Sequence, residues 1–302
     1  MESMKELRSR MISVRKTMKI TNAMYLLASS KMKKARKRLL ASEPYFNRLQ
    51  DTIADILVHT HSVNNRYFTG KDTAAGETKR GYVVITSDKG LAGAYNHNVI
   101  RLTESHLNDS GNNTFFFIGY SGHNYFAKKP ELGKISGEHS YAATEPALYR
   151  ARSIAEDLVK EFCGGELDEI YLIYTKMRSA LTADTEIIKL LPLARDMFPD
   201  RRPVITSQAD NYEEHYYPSP DAVLDMLVPN YVKGLIYGAM TEAYAGEQNA
   251  RMIAMDNATK NAKQLIDRLS VQYNRMRQAA ITTELSEVAG AAKTQYSQQG
   301  GY

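Results

Sequence analysis

Few residues of this 302-residue chain combine the types and the spacing that catalysis requires. Gly90 and Gly93 follow a predicted strand, but the Gly-x-Gly-x-x-Gly spacing of a dinucleotide site is missing, and the chain has no Gly-x-x-x-x-Gly-Lys-Ser/Thr phosphate loop. Ser30 and Lys33 match the Ser-x-x-Lys pattern of penicillin-recognising enzymes, but they lie inside a helical repeat without the companion motifs. The sequence therefore predicts no catalytic residue and no cofactor-binding residue.

Candidate metal ligands are equally sparse. His59 and His61 could chelate an ion at the edge of a loop, but no cysteine or carboxylate is placed beside them, so a solvated pair is the simpler interpretation. Cys163 is the only cysteine, which excludes an intrachain disulfide, a CxxC redox pair and a thiolate zinc site. We expect no bound metal.

The polar loop 88–98 is charged enough to hold a small site at the end of a strand. Its plainer interpretation is a strand-to-helix turn, in which Gly90 and Gly93 permit the bend and the polar residues cap the next helix. Both interpretations require an element that ends just before residue 88.

The first sixty residues have the repeat of a coiled-coil helix. Apolar or small side chains recur at alternating steps of three and four, which places them on one stripe, the N-terminal seam. At 1.5 Å per residue such a helix would be on the order of 80 Å long and would need a second helix to cover its stripe. Pro44 has no amide donor, so we expect a kink or a short break near residues 41–43. The seam consists of Met4, Leu7, Met11, Val14, Met18, Thr21, Tyr25, Ala28, Met32, Ala35, Leu39, Ser42, Phe46, Leu49, Ile53 and Ile56.

The other end of the chain supplies the second helix. No proline follows Pro229, and a second stripe keeps the three-four spacing, with small residues that let two backbones approach closely. We expect the two terminal helices to cover each other. The members of this C-terminal stripe are Ala258, Ala262, Leu265, Leu269, Tyr273, Met276 and Ala280.

Between the terminal helices the pattern alternates between strand and helix, which is typical of a compact α/β unit. The sequence predicts buried strands at 82–86, 114–118 and 170–174, helices at about 96–109 and 146–162, and an edge strand at 187–191 that Pro192 ends.

The predicted domain boundaries follow these changes of pattern. They are 1–60 for the N-terminal coiled-coil helix, 61–80 for a linker, 81–205 for the α/β domain, 206–220 for a connecting segment, 221–290 for the C-terminal coiled-coil helix and 291–302 for a polar tail.

The charge distribution indicates an acidic partner. The net charge is +5, but residues 1–40 hold twelve lysine and arginine residues against two glutamates. A basic coiled-coil nucleic-acid-binding protein is therefore an alternative function, and an enzyme built on the α/β unit is a third. Against DNA, the seam runs through the basic block, whereas the basic region of a zipper protein lies outside its seam.

Membrane and export signals are missing from the sequence. No stretch approaches the roughly twenty apolar residues of a membrane span, and the seam begins directly after the first residues. We expect no transmembrane segment and a chain that stays in the compartment where it is made.

Three motifs, in order along the chain, carry a resemblance, and the third of them consists of two segments. The chain resembles the gamma subunit of F-type (F1Fo) ATP synthases of the bacterial type, and the match spans nearly its whole length. The matching segments are Arg8–Met24 (RSRMISVRKTMKITNAM), Thr86–Asn96 (TSDKGLAGAYN), Glu247–Thr259 (EQNARMIAMDNAT) and Tyr273–Leu285 (YNRMRQAAITTEL).

The resemblance implies an α/β fold in which the terminal helices form a long antiparallel coiled coil beside a Rossmann-like α/β domain. It implies a non-catalytic rotor, which carries rotation of the membrane c-ring to the catalytic beta subunits during proton- or sodium-driven ATP synthesis. The implied partners are the ring of three alpha and three beta subunits, the epsilon subunit and the c-ring, with no nucleic acid. The implied location is peripheral, on the cytoplasmic side of the plasma membrane.

The resemblance also implies which residues contact the beta subunits. Arg251, Arg277, Gln278 and Thr282 match family positions that make polar contacts with beta, and Met24 matches the position near an acidic lever segment of beta. Two departures stand out: Ala92 replaces a cysteine of many members, and no carboxylate for a c-ring contact is in register near residues 216–218. The cysteine-bearing insert of chloroplast members is also missing, which favours a bacterial-type enzyme.

Overall fold

The computed structural model describes residues 3–60, 65–68, 78–107, 112–136, 142–143, 145–179, 182–198 and 216–299, without the side chains of His59 and of residues 292–299. Most of the predicted linker, most of the connecting segment, His61 and residues 300–302 lie outside the described residues. The chain divides into two compact units, residues 28–251 and residues 1–27 with 252–302. Two long helices contribute to both units, α1 (Met4–His59) and α5 (Pro220–Gln299).

A five-stranded sheet forms the centre of the unit 28–251. Its order is β3-β2-β1-β4-β5, in which β1 to β4 run parallel and β5 pairs antiparallel with β4 at one edge. The strands are β1 (Arg80–Ile85), β2 (Asn113–Ile118), β3 (Lys134–Ile135), β4 (Glu169–Met177) and β5 (Ala183–Leu191). The predicted strands and the predicted edge strand are confirmed, whereas the two-residue β3 has no counterpart in the prediction.

Helices cover both faces of this sheet. Alternate residues of each strand point to opposite faces, and since both sets are apolar, both faces need a covering layer. On β1, Tyr82 and Val84 pack with α2 (Tyr95–His106) and α3 (Tyr120–Phe126). Val83 and Ile85 pack with α4 (Leu148–Gly164) and with the parts of α1 and α5 that belong to this unit. Single 3-10 turns lie at Pro130–Leu132 and Arg195–Met197.

Within the unit 28–251, α1 and α5 run antiparallel. The Phe46 ring lies 6.3 Å from the Tyr237 ring and against the bare backbone of Gly234, while Tyr216, before α5, donates a hydrogen bond of 3.3 Å to Asp55. α1 passes through Pro44 without interruption, so the break is wrong, and the alternative of a kink stays a prediction. Leu40, whose carbonyl loses its donor at Pro44, is exposed, as is Pro44 itself, so water can bond that carbonyl.

The second unit pairs residues 4–27 of α1 with the later part of α5. A hydrogen bond of 2.8 Å joins the hydroxyls of Thr21 on α1 and Thr259 on α5. Leu7 and Leu269 are buried, and each predicted seam position of α1 from Met4 to Ile56 is buried or half-buried. The expected fold class is confirmed: a Rossmann-like α/β domain with a long antiparallel coiled coil of the terminal helices.

Candidate functional site

The crevice where doubly wound sheets usually bind ligands is filled by the chain's own α5. That crevice lies at the carboxyl ends of the strands where the strand order reverses, here between β1 and β4. A Cβ on Gly246 of α5 would lie 3.1 Å from Thr175 of β4, and the buried Tyr95 hydroxyl donates to the Ala243 carbonyl at 3.1 Å. The cavity that remains, beside Tyr95 and Glu247, holds about 10 Å³. A nucleotide would have to displace α5.

The polar residues of loop 88–98 support the backbone rather than a ligand. Asn96 accepts a hydrogen bond from the Ser87 amide at 2.9 Å, and Asp88 accepts from the amides of Tyr120 and Ala143 at 3.3 and 2.8 Å. The turn interpretation is therefore confirmed. The capping role is wrong, because α2 begins after Ala94 and no side chain bonds its first amides.

Arg251 is bonded within this unit. Its Nη2 lies 2.7 Å from Glu247 Oε1, one helical turn earlier, and 3.3 Å from the carbonyl oxygens of both Lys89 and Gly90. Only 12% of the Arg251 side chain and 8% of the Glu247 side chain are exposed. Burial raises the pKa of Glu247, and the Arg251 charge opposes that shift.

Met24, Arg277, Gln278 and Thr282 all belong to the other unit. Met24 is half-buried, and its position on the helix is at the flank of the N-terminal seam. Arg277, Gln278 and Thr282 are exposed on α5, where the Thr282 hydroxyl donates to the Gln278 carbonyl at 2.9 Å. The structure thus groups these three residues within two helical turns and places Arg251 in a different unit.

A stripe of exposed apolar side chains on α5 was missed by the sequence reasoning. Ile281, Leu285 and Val288, the outer stripe, follow one another at steps of four and three, and the polar Gln278 precedes them by three residues on the same face. At about 100° per residue this stripe lies roughly opposite Met276, the last half-buried member of the C-terminal stripe. Ile281 is 48%, Leu285 64% and Val288 63% exposed, and each described side chain from Arg277 to Ala291 is exposed. The regular spacing of these residues is the signal in the sequence that could have revealed the stripe.

Exposed apolar side chains also lie on α1. Ile12, Ile20 and Leu27 are 47%, 61% and 57% exposed. They are eight and seven residues apart, about two turns each, so they are separate exposed positions and not a continuous stripe.

The carboxyl of Glu242 on α5 lies where its ionisation should make the stability of the fold depend on pH. Burial raises its pKa, and its Oε2 has no hydrogen-bond partner among the described residues. It faces Lys176, Arg178 and Glu186 of the β4–β5 hairpin, Glu43 of α1 and Tyr174 of β4. The two cations are already paired, Lys176 with Glu186 at 3.4 Å and Arg178 with Glu186 and Asp184.

We expect Glu242→Gln to raise the free energy of unfolding at pH 8 by about 1 kcal/mol, because a neutral amide avoids burying an unpaired charge. The pKa of Glu242 is higher in the folded than in the unfolded chain. The stability that this carboxyl contributes is therefore fully present below the ordinary glutamate pKa, and it is lost as the pH rises through the folded-state pKa. Urea unfolding should therefore show that the free energy of unfolding falls less between pH 5 and pH 8 in the variant than in the parent chain. Equal losses in both would contradict this reading of the Glu242 environment.

Neither a metal cluster nor a spanning helix is found in the part of the chain that the structure describes. No three histidine, cysteine, aspartate or glutamate side chains there are grouped to hold an ion. None of the described helices has the length and apolar character that a bilayer crossing needs.

Comparisons with known proteins agree with the resemblance over the whole chain. The family model described as ATP synthase matches residues 3–294. The chain is 42% identical to the ATP synthase gamma chain of Ruminiclostridium cellulolyticum, over 96% of this chain and 98% of that protein. It is 36% identical to the sodium ion specific ATP synthase gamma chain of Acetobacterium woodii, over 97% of this chain and 98% of that one.

Solved structures show the same fold. A chain of the Euglena gracilis mitochondrial ATP synthase, in a structure of OSCP, F1 and c-ring, aligns with a TM-score of 0.66 at 16% identity, over 98% of this chain and 95% of its own length. A chain of the Tetrahymena thermophila central stalk and c-ring aligns at 0.57 and 24% identity, over 79% of this chain and 99% of its own. The chain therefore belongs to the family of ATP synthase gamma chains.

Proposed function

We propose that this chain is the central-stalk rotor subunit of an F1Fo ATP synthase, which transmits c-ring rotation to the catalytic beta subunits during proton- or sodium-driven ATP synthesis. The outer stripe of α5 carries the proposal. Its apolar side chains are exposed in the free chain, and a rotor helix enclosed by a ring of subunits would bury them. The names of the relatives, ATP synthase gamma chains, support the same role.

The proposed partners are the three alpha and three beta subunits of the ring, the epsilon subunit and the membrane c-ring. The twelve basic residues of positions 1–40 suit an acidic segment of the ring. The proposed location is peripheral, at the cytoplasmic side of a bacterial plasma membrane. The nucleic-acid alternative has no support among the relatives, which are named gamma chains.

The chain itself is proposed to be non-catalytic. The only crevice of the described α/β domain that corresponds to a nucleotide site of doubly wound folds is occupied by α5, with Gly246 against Thr175. In this proposal the chain acts mechanically: it changes the conformation of the beta subunits, whose catalytic sites bind ATP.

Met24, Arg277, Gln278 and Thr282 are the proposed contacts with beta. The exposed Arg277 can give charge-assisted hydrogen bonds to a carboxylate, and Gln278 and Thr282 share one helix face beside it. Arg251 is the fifth proposed contact with beta. Its Nη2 also bonds Glu247, Lys89 and Gly90 within the chain, so these bonds would hold the side chain in place for that contact.

Co-purification tests the proposed function. A tagged chain expressed with the alpha and beta subunits of a related ATP synthase should retain both, and the complex should hydrolyse ATP while the chain alone does not. Salt-sensitive binding of the chain to DNA without retention of alpha and beta would favour the nucleic-acid alternative. A micromolar affinity of the isolated chain for ATP, measured by calorimetry, would contradict the non-catalytic role.

A further inference from the structure

A cluster of charged side chains lies where the β4–β5 hairpin meets the long helices. Tyr174 and Lys176 alternate on β4, and Arg178 directly after the strand continues the alternation, so the three side chains share one face. On β5, Glu186 lies opposite Tyr174, and Asp184 lies opposite Lys176. Tyr174 packs in the core that also contains α1 and α5, so this face of the hairpin is turned toward those two helices.

Glu186 is the shared partner of both cations of the hairpin. Lys176 Nζ lies 3.4 Å from Glu186 Oε2, while Arg178 bonds Glu186 Oε1 and lies 3.4 Å from Asp184 Oδ2. If Lys176 left, Glu186 would still be paired with Arg178. Lys176 can leave at small cost, because its ammonium is a point charge on a flexible stem and its side chain is 39% exposed.

Glu242 of α5 lies beside this cluster with a carboxyl oxygen that is not paired. Its Oε2 is buried and has no hydrogen-bond partner among the described residues. A buried, unpaired oxygen is tolerated far better in a neutral carboxylic acid than in a carboxylate, because an unpaired buried charge is very costly. The arrangement of the side chains in the structure is therefore the one that suits a protonated Glu242.

Several elements present charged or titratable groups to Glu242. They are Tyr174, Lys176 and Arg178 of β4 and the residue after it, Glu186 of β5 and Glu43 of α1. After burial, which raises the pKa of Glu242 most, Lys176 has the largest effect and lowers it. Tyr174 stays neutral, because burial raises its pKa as well. Lys176 is thus the cation best placed to pair with an ionised Glu242.

We propose that Glu242 is a proton-operated switch: when it ionises, the Lys176 ammonium moves from Glu186 to Glu242 and fastens the β4–β5 hairpin to α5. The proton goes to water, and Arg178 stays with Glu186, so each of the two carboxylates keeps one cation. When Glu242 is protonated, the hairpin keeps both ion pairs within itself. The switch does not depend on the proposed function, since all of its groups belong to the unit 28–251.

Double-mutant cycles on the full chain measure which partner Lys176 has. One cycle combines Lys176→Met with Glu186→Gln, the other combines Lys176→Met with Glu242→Gln, and each is measured by urea unfolding at pH 5 and pH 8. We expect the coupling with Glu186 to be about threefold in the unfolding equilibrium constant at pH 5 and close to one at pH 8. The coupling with Glu242 should change in the opposite direction, from close to one at pH 5 to about tenfold at pH 8, because that carboxylate is buried.

The matched control is the cycle of Arg178→Met with Glu242→Gln. Arg178 belongs to the same cluster but stays with Glu186 in both states, so this coupling should be close to one at pH 5 and at pH 8. A tenfold coupling in this control at pH 8 would mean that Arg178 moves instead of Lys176, and it would overturn the proposal. A coupling of Lys176 with Glu186 that is the same at both pH values would overturn it as well.

A second measurement follows Lys176 in the folded parent chain, and so it does not require the variants of Glu186 to fold. Reductive methylation with carbon-13 labels the lysine side chains, and the methyl signal of Lys176 is the one that Lys176→Met lacks. We expect this signal to shift with an inflection between pH 5 and pH 8 in the parent chain and to show no inflection there in Glu242→Gln. The same inflection in both chains would show that another group titrates beside Lys176, and the switch would be wrong.

Discussion

Replacement of Gly119 by alanine is expected to lower the free energy of unfolding of the α/β domain by about 3–5 kcal/mol. Gly119 follows β2 with φ of 101°, a conformation that side chains strongly disfavour. An alanine Cβ there would lie 2.6 Å from the Thr86 carbonyl carbon, and closer still to its oxygen. Because this neighbour is backbone at the end of β1, where the Thr86 amide bonds Ile118 of β2, neither side can yield without disrupting the pairing of β1 with β2.

Gly164 is the control for this substitution. It lies in the last turn of α4, and an added Cβ would have no heavy atom within 4 Å. Gly164→Ala should therefore leave the chain as stable as before or raise its stability by about 0.4–1 kcal/mol. Urea unfolding followed by far-ultraviolet circular dichroism compares the two, and a Gly119→Ala chain within about 1 kcal/mol of the parent would show that Thr86 gives way more easily than its contacts indicate.

The double substitution Ile281→Glu with Leu285→Glu is expected to weaken binding to the alpha and beta ring by about a hundredfold to ten-thousandfold. Each apolar side chain that becomes buried on docking contributes about 1.5–3 kcal/mol, and a glutamate in its place also loses hydration. In the free chain both positions are exposed, at 48% and 64%, so the melting temperature should stay within a few degrees of the parent.

Leu285→Met provides the matched comparison on the same stripe. Methionine keeps the volume and the apolar character, so its affinity for the ring should stay within about tenfold of the parent value. A double glutamate variant that binds the ring as tightly as the methionine variant would show that the outer stripe remains in water in the complex. The exposure of these side chains would then need another explanation.

The elements with strong periodicity could be predicted from the sequence. Seam positions such as Leu7, Ala28 and Ile53 are buried in the structure, as predicted. The prediction was possible because steps of three and four residues place side chains on one face of a helix, and this holds without knowing which element covers that face. The strands β1, β2 and β4 were found because buried parallel strands are runs of β-branched and aromatic residues. The short α3 and β3 were not found, since seven and two residues carry too little pattern.

Contacts between segments that are distant in the sequence could not be predicted from local sequence patterns. Arg251 and Lys89 stand 162 positions apart, and nothing in either segment indicates that α5 crosses the turn after β1. The family position of Arg251 predicted a partner contact, which stays a prediction, and it gave no sign of the bonds that Arg251 makes inside the unit. The outer stripe was in principle visible, but it shares α5 with the C-terminal stripe, and a search for one seam does not look for a second face.

Rotation of the chain inside the ring tests the central claim most directly. The ring of alpha and beta subunits would be fixed to a surface and a bead attached to a cysteine placed at the exposed Lys160 of α4, in a chain with Cys163→Ser. With ATP supplied, a rotor subunit should turn the bead in one direction with three equal steps per revolution, because the ring presents three beta subunits in sequence. A bead that stays fixed, or wanders without direction, while the same complex hydrolyses ATP would contradict the proposed rotor.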